Sequence, residues 1–118
     1  MKDFLLKRFD CEVLEAGTGQ EALGLLKDNK FDLVLLDIKM PGISGMEVIK
    51  EKKKLDYKPC IWVVTSFDSE DVAYNVIKEG ADDYISKPFT LKLFDRKIRD
   101  FLAGIGKYKP KASAGSER

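Results

Sequence analysis

Short apolar runs alternate with segments of helical period along almost the whole of this chain. Runs of strand length occur at Glu12 to Ala16, Leu33 to Asp37, Ile61 to Thr65 and Asp83 to Ser86. The interval between successive runs leaves room for a crossover helix, the connection that parallel strands need. Gln20 to Asn29 places Ala22, Leu23 and Leu26 on one helical face, and Gly45 to Leu55 does the same with Met46, Val48, Ile49 and Leu55. Ser69 to Gly80 carries Val72, Ala73, Val76 and Ile77 and closes on a glycine, while Thr90 caps a last helix with Leu93, Phe94, Ile98, Phe101 and Leu102 inward. Asp3 to Arg8 read as the closing turns of one more helix, because Met1 leaves no room for a cap or a first turn. The pattern predicts an α/β fold with four parallel strands and about five helices.

Two of the runs, LVLL and IWVV, are nearly continuous in apolar residues, as central strands covered on both faces are. CEVLEA alternates instead, and Glu12 and Glu15 mark it as an edge strand or one whose neighbour is misplaced. From Gly104 the sequence GIGKYKPKASAGSER loses all periodicity. Residues 1–103 are therefore expected to form the domain and 104–118 a disordered tail or linker stub.

Composition narrows the class without naming a function. The 118 residues suffice for one core, and 44% hydrophobic with 35% charged residues is the balance of a soluble globular domain. No apolar run has the length of a membrane span, and the first residues lack the pattern of a secretory signal, so a cytoplasmic location is expected. Cys11 and Cys60 stand far apart in a chain with no histidine, which removes zinc ligation and a Cys-His nucleophile pair and leaves both as packing residues. A formal charge of +1 gives no general field for nucleic acid; the basic run Lys50 to Lys54 reads as a solvated helix end suited to the C-terminal dipole.

The chemistry lies at the strand ends. In open α/β sheets ligands bind beyond the carboxyl ends of the strands. One run here ends at Asp37, the next at Thr65, and the last is followed by Lys87 and Pro88. A carboxylate, a hydroxyl and an ammonium meeting at one edge suit a phosphoryl group carried on the carboxylate. Asp37 supplies the nucleophilic oxygen, Thr65 a hydrogen bond, and Lys87 a cation for the equatorial oxygens. Pro88 restricts the backbone of Lys87 and allows a cis bond there.

Four linked motifs make this specific: D-I-K-M-P-G from Asp37 to Gly42, Gly45 ahead of a helix, Thr65-Ser66 after a buried strand, and G-A-D-D-Y-I-S-K-P-F from Gly80 to Phe89. In this order and spacing, from about Leu5 to Leu102, the chain resembles the receiver domain of bacterial two-component response regulators. The resemblance implies a flavodoxin-like, doubly wound parallel sheet. It implies a signalling module rather than an enzyme, in which Asp37 accepts a phosphoryl group from a sensor histidine kinase or phosphotransfer protein with Mg2+ present. Pro41, Gly45 and Pro88 would shape the site. Thr65 and Tyr84 would act as the switch, altering a protein-binding face made by the family's fourth helix, fifth strand and fifth helix.

Receivers open with a strand that delivers two acidic residues to the magnesium, and this sequence contains no such strand. Asp3 falls inside the first helix, so the ligands left are Asp37 and, by position, the backbone carbonyl of Lys39. One carboxylate makes a weak magnesium site. The family's missing strand lies between CEVLEA and DLVLLD, and the gap is expected to be met by a rearranged N-terminus or by self-association into a homo-oligomer. The alternative function is then a receiver scaffold acting as an interaction or oligomerisation module without phosphorylation.

Other readings are weaker. G-T-G-Q-E-A at Gly17 to Ala22 outlines a dinucleotide fingerprint, but the preceding run is half acidic, and a tight turn into a helix is the better account. A phosphatase of the haloacid dehalogenase type wants a second Asp where Lys39 stands. Lys52 takes a helix position that is usually apolar, and its stem is expected to be covered with its charge near water.

Overall fold

The computed structural model describes residues 2–38, 44–66 and 70–108. They divide into two compact units, one of residues 16–88 and one of residues 1–15 with 89–118. In the first, α2 (Gly19–Asp28), β1 (Leu33–Leu36), α3 (Gly45–Glu51), a 3-10 turn (Lys52–Lys54), β2 (Cys60–Thr65), α4 (Glu70–Glu79) and β3 (Asp83–Ser86) follow in order. The second holds α1 (Lys2–Arg8) and α5 (Leu91–Gly104).

The three strands form one parallel sheet in the order β1-β2-β3. Leu36 pairs with Val63, Val63 with Tyr84, and Thr65 with Ser86, so the carboxyl ends of all three strands lie at one edge. Alternation along the strands sends residues to two faces. Ile61 and Val63 join Leu26, Leu36, Val48, Ile49, Val76 and Ala81 in one core, with Val34 and Tyr84 packed against it. Trp62, Val64 and Ile85 occupy the other parity and are also buried, with Trp62 only 6% exposed. β2 is thus apolar at nearly every position because neither of its faces meets water.

Capping residues set the helix ends. Thr18, Ser44 and Thr90 precede α2, α3 and α5, and each side-chain oxygen accepts a hydrogen bond from the N–H three residues on. At the end of α4, Gly80 adopts a φ of +130°; its N–H donates to Ile77 and that of Ala81 to Val76. This pair of bonds closes the last turn around a left-handed residue that glycine tolerates best. Gly106, at φ +75°, closes α5 in the same way through Gly106 to Ala103 and Lys107 to Leu102. α5 itself ends at Gly104, and its closing turn takes in Ile105 and Gly106. Residues 109–118 of that expected tail lie outside the described residues.

One expected element is not formed. Glu12 to Ala16 contain no strand, and the sheet has three strands where four were expected. A strand exists only through its ladder, and among the described residues nothing pairs with the edge of β1 away from β2. The alternating pattern of CEVLEA has no neighbour to make it a strand. The α/β class, the parallel sheet and five helices agree with the expectation.

In the unit of α1 and α5, Phe94 packs against Phe4 and stacks on Phe89, at ring-centroid separations of 6.1 and 5.3 Å. Arg8 reaches Asp95 with a 3.0 Å hydrogen bond. No helix among the described residues is long and apolar enough to cross a membrane.

Candidate functional site

Asp37 follows the last residue of β1, Thr65 ends β2, and Lys87 follows the last residue of β3. The parallel register brings all three to the same sheet edge. The Thr65 hydroxyl donates to Oδ1 of Asp37 at 3.0 Å, and Nζ of Lys87 stands 3.5 Å from Oδ2. The two oxygens of one carboxylate thus face two different partners. The first contact is a good hydrogen bond, whereas the second is long for N–H···O and acts as a charge contact.

Exposure separates their tasks. Thr65 is completely buried, while the Asp37 and Lys87 side chains keep 38% and 47% of their surface. A buried hydroxyl needs its acceptor, so Thr65 fixes one face of the carboxylate. Asp37 and Lys87 stay reachable from solvent. The backbone ties the same residues together, since Lys87 N–H donates to the Thr65 carbonyl at 2.9 Å. The Lys87-Pro88 bond is cis.

Gly45 completes the edge from below. A Cβ at this position would lie 2.5 Å from Cα of Ile38 and 3.0 Å from the Asp37 carbonyl oxygen. Only glycine lets the first turn of α3 approach the backbone that carries the carboxylate. Tyr84 is half-buried and packs on the core beside Val63, its partner in the ladder. Lys39 and Pro41 fall within residues 39–43, outside the described residues.

Receiver domains typically use magnesium, which takes oxygen donors in a near-octahedral set. Among the described residues no group of three or more His, Cys, Asp or Glu side chains could hold a metal ion. Asp37 is the carboxylate at the strand ends, and both its oxygens already face protein partners. These residues by themselves do not fit a hard cation that seeks six oxygens.

Sequence reasoning missed a second polar cluster, at the opposite end of the strands. Lys52 donates to Asp82 Oδ2 at 2.8 Å and to the Gly80 carbonyl at 3.2 Å, and the same Asp82 oxygen accepts from the Ile61 N–H at 2.8 Å. The Lys52 side chain is 15% exposed, so its stem is covered as expected, and its charge is paired with the Asp82 carboxylate, 44% exposed. Cys60 lies beside this pair. Burial, then the Asp82 charge, pushes its thiol pKa up. The only cue in the sequence was a lysine at an apolar helix position.

The motif Gly17 to Ala22 is a helix start. Thr18 Oγ1 accepts from Glu21 N–H at 3.1 Å, and Glu21 Oε1 accepts from Gly17 N–H at 2.8 Å. This reciprocal arrangement is close to a capping box and uses the N–H groups that a pyrophosphate would want.

Comparison with known proteins agrees with this geometry. The family model described as the response regulator receiver domain matches residues 1–99. The transcriptional regulatory protein AfsQ1 of Streptomyces coelicolor is 36% identical over 97 residues, covering 82% of this chain and 43% of that protein. The chain therefore spans less than half the length of this curated relative. A CheY-like receiver domain structure from Methanospirillum hungatei superposes with a TM-score of 0.73 at 32% identity, covering 80% of this chain and 76% of that one. A response regulator from Burkholderia pseudomallei, solved with a phosphorylated aspartic acid, calcium ion and citrate, superposes with a TM-score of 0.66 at 26% identity, covering 77% of this chain and 58% of that one. With the family model matched over most of its length and the strand-end triad in place, this chain belongs to the response regulator receiver domain family.

Proposed function

We propose that Asp37 is the phosphoacceptor of this receiver, and that a sensor histidine kinase or phosphotransfer protein in the cytoplasm supplies the phosphoryl group. The observation that carries the reading is the convergence of Thr65 and Lys87 on the two oxygens of one solvent-reachable carboxylate. A carboxylate oxygen attacks phosphorus, the N–P bond of the phosphohistidine breaks, and an acyl phosphate forms. The departing imidazole keeps the electron pair and is protonated. Lys87 then bonds a phosphoryl oxygen, and the Thr65 hydroxyl moves from the carboxylate toward the same group. Tyr84, already packed on the core, follows the space that Thr65 vacates and changes the surface offered to a downstream protein. The aspartyl phosphate of the Burkholderia protein supports the same chemistry on this scaffold.

A second reading is favoured by the donor set. With one carboxylate at the strand ends of the described residues, the fold can serve as an interaction or homo-oligomerisation module that is never phosphorylated. Incubation with magnesium and acetyl phosphate, followed by intact mass measurement, separates the two. The first reading expects an adduct of one phosphoryl group that Asp37→Asn abolishes; no adduct at any magnesium concentration leaves the second.

A further inference from the structure

The two polar clusters of this unit are joined by one element. At its start, Gly45 touches the Asp37-Ile38 backbone, and its N–H points to the Ile38 carbonyl at 3.4 Å. In its middle, Val48 and Ile49 are fully buried in the core and have no room to yield. At its end, beyond Glu51, Lys52 grips the Gly80 carbonyl and Asp82. Gly80 itself leans on this element: a Cβ there would lie 3.6 Å from Ile49 Cγ2 and 4.0 Å from Lys52 Cδ. Asp82 in turn holds the start of β2 twice, accepting from Ile61 N–H and donating its own N–H to the Ile61 carbonyl at 2.7 Å.

We propose that α3 with its 3-10 extension is a strut between the carboxylate edge and the α4-β3 turn, and that Lys52 is a positioning residue for Asp37 acting through it. From Gly45 to Lys52 the strut is about 10 Å long, at roughly 1.5 Å per helical residue. Its two ends are held by different means. The Asp37 end is a close backbone approach with one long N–H···O contact, from Gly45 to the Ile38 carbonyl, which resists pushing strongly and pulling only weakly. The Lys52 end is an ion pair with a shared hydrogen bond, which resists both pushing and pulling. Any shift of the Asp37-Ile38 backbone therefore loads the turn at Gly80 to Asp82, where α4 ends and β3 begins. Loosening that turn returns the disturbance to Asp37. The functional meaning rests on Asp37 being the phosphoacceptor; the mechanical link does not.

The test uses Lys52→Met, which keeps the length of the stem and removes the charge, with the exposed neighbour Lys53→Met as control. Amide NMR shifts of Ile38 and Gly45 and the exchange rates of Ala81 and Asp82 are compared with the unmodified chain. The proposal expects Lys52→Met to move the Ile38 and Gly45 resonances and to speed exchange of Ala81 and Asp82 about tenfold, with Lys52→Arg restoring both and Lys53→Met changing neither. Should Lys52→Met fail to fold, Asp82→Asn weakens the same grip and carries the same expectation. Changes confined to Gly80, Ala81, Asp82 and Ile61, with Ile38 and Gly45 at their original positions, overturn the strut. Phosphorylation is read separately: a chain that shows the coupling but takes no phosphoryl group from acetyl phosphate fails the phosphoacceptor reading and keeps the strut.

Discussion

A single methyl group distinguishes the two glycines that bracket the first half of the core. Gly24 lies inside α2 with nothing within 4 Å of a Cβ, whereas a Cβ on Gly45 meets the backbone of Ile38. Gly24→Ala is expected to stabilise the chain by about 0.5–1 kcal/mol through helix propensity. Gly45→Ala is expected to destabilise it by about 1–3 kcal/mol through overpacking; urea denaturation midpoints of the two variants move in opposite directions. The two cysteines differ as sharply. With the Cys60 thiol pushed above its ordinary range by burial and Asp82, and Cys11 exposed, an alkylating reagent at mildly alkaline pH modifies Cys11 first. The same shift makes Cys60 favour the fold in its protonated form. That contribution is complete below the ordinary thiol pKa and is lost as pH rises through the raised one, so Cys60→Ala flattens the alkaline fall in stability. Asp37, Thr65 and Lys87 were legible in the sequence because each marks the end of an apolar run, and parallel pairing lines up such ends. The Lys52 grip on Asp82 was not, because it joins residues 30 positions apart: the apolar helix position marked Lys52 as partly covered but carried no sign of its partner.

Helices were easier to read than strands because a helix carries its own start and stop signals. Thr18, Ser44 and Thr90 cap where local rules place a cap, and Gly80 ends α4 as the sequence suggested. Thr90→Ala is expected to cost about 1 kcal/mol, with Thr90→Ser close to the original, as judged by thermal or urea unfolding. Strands depend on partners that no local pattern contains. LVLL and IWVV pair as expected, but the alternation of Glu12 to Ala16 says only what such a segment would do beside a neighbour. α5 ends at Gly104, where the periodicity of the sequence stops, and the left-handed Gly106 closes its last turn.

At the scale of the whole molecule, the matched family model and the parallel register agree on a receiver-domain sheet with its strand ends at one edge. The chain spans less than half the length of AfsQ1, so the comparison bears on the receiver domain alone. One earlier feature gives this molecule its own optical probe. Trp62 is the chain's single tryptophan, and it sits buried on the middle strand, three residues before Thr65. All tryptophan emission therefore comes from one strand, with no second indole to average against. Emission is expected to shift to the red on unfolding in urea, and to change in intensity when acetyl phosphate is added to the native chain but not to Asp37→Asn. A sheet that carries its lamp on the strand that ends at Thr65 reports on that strand without any label.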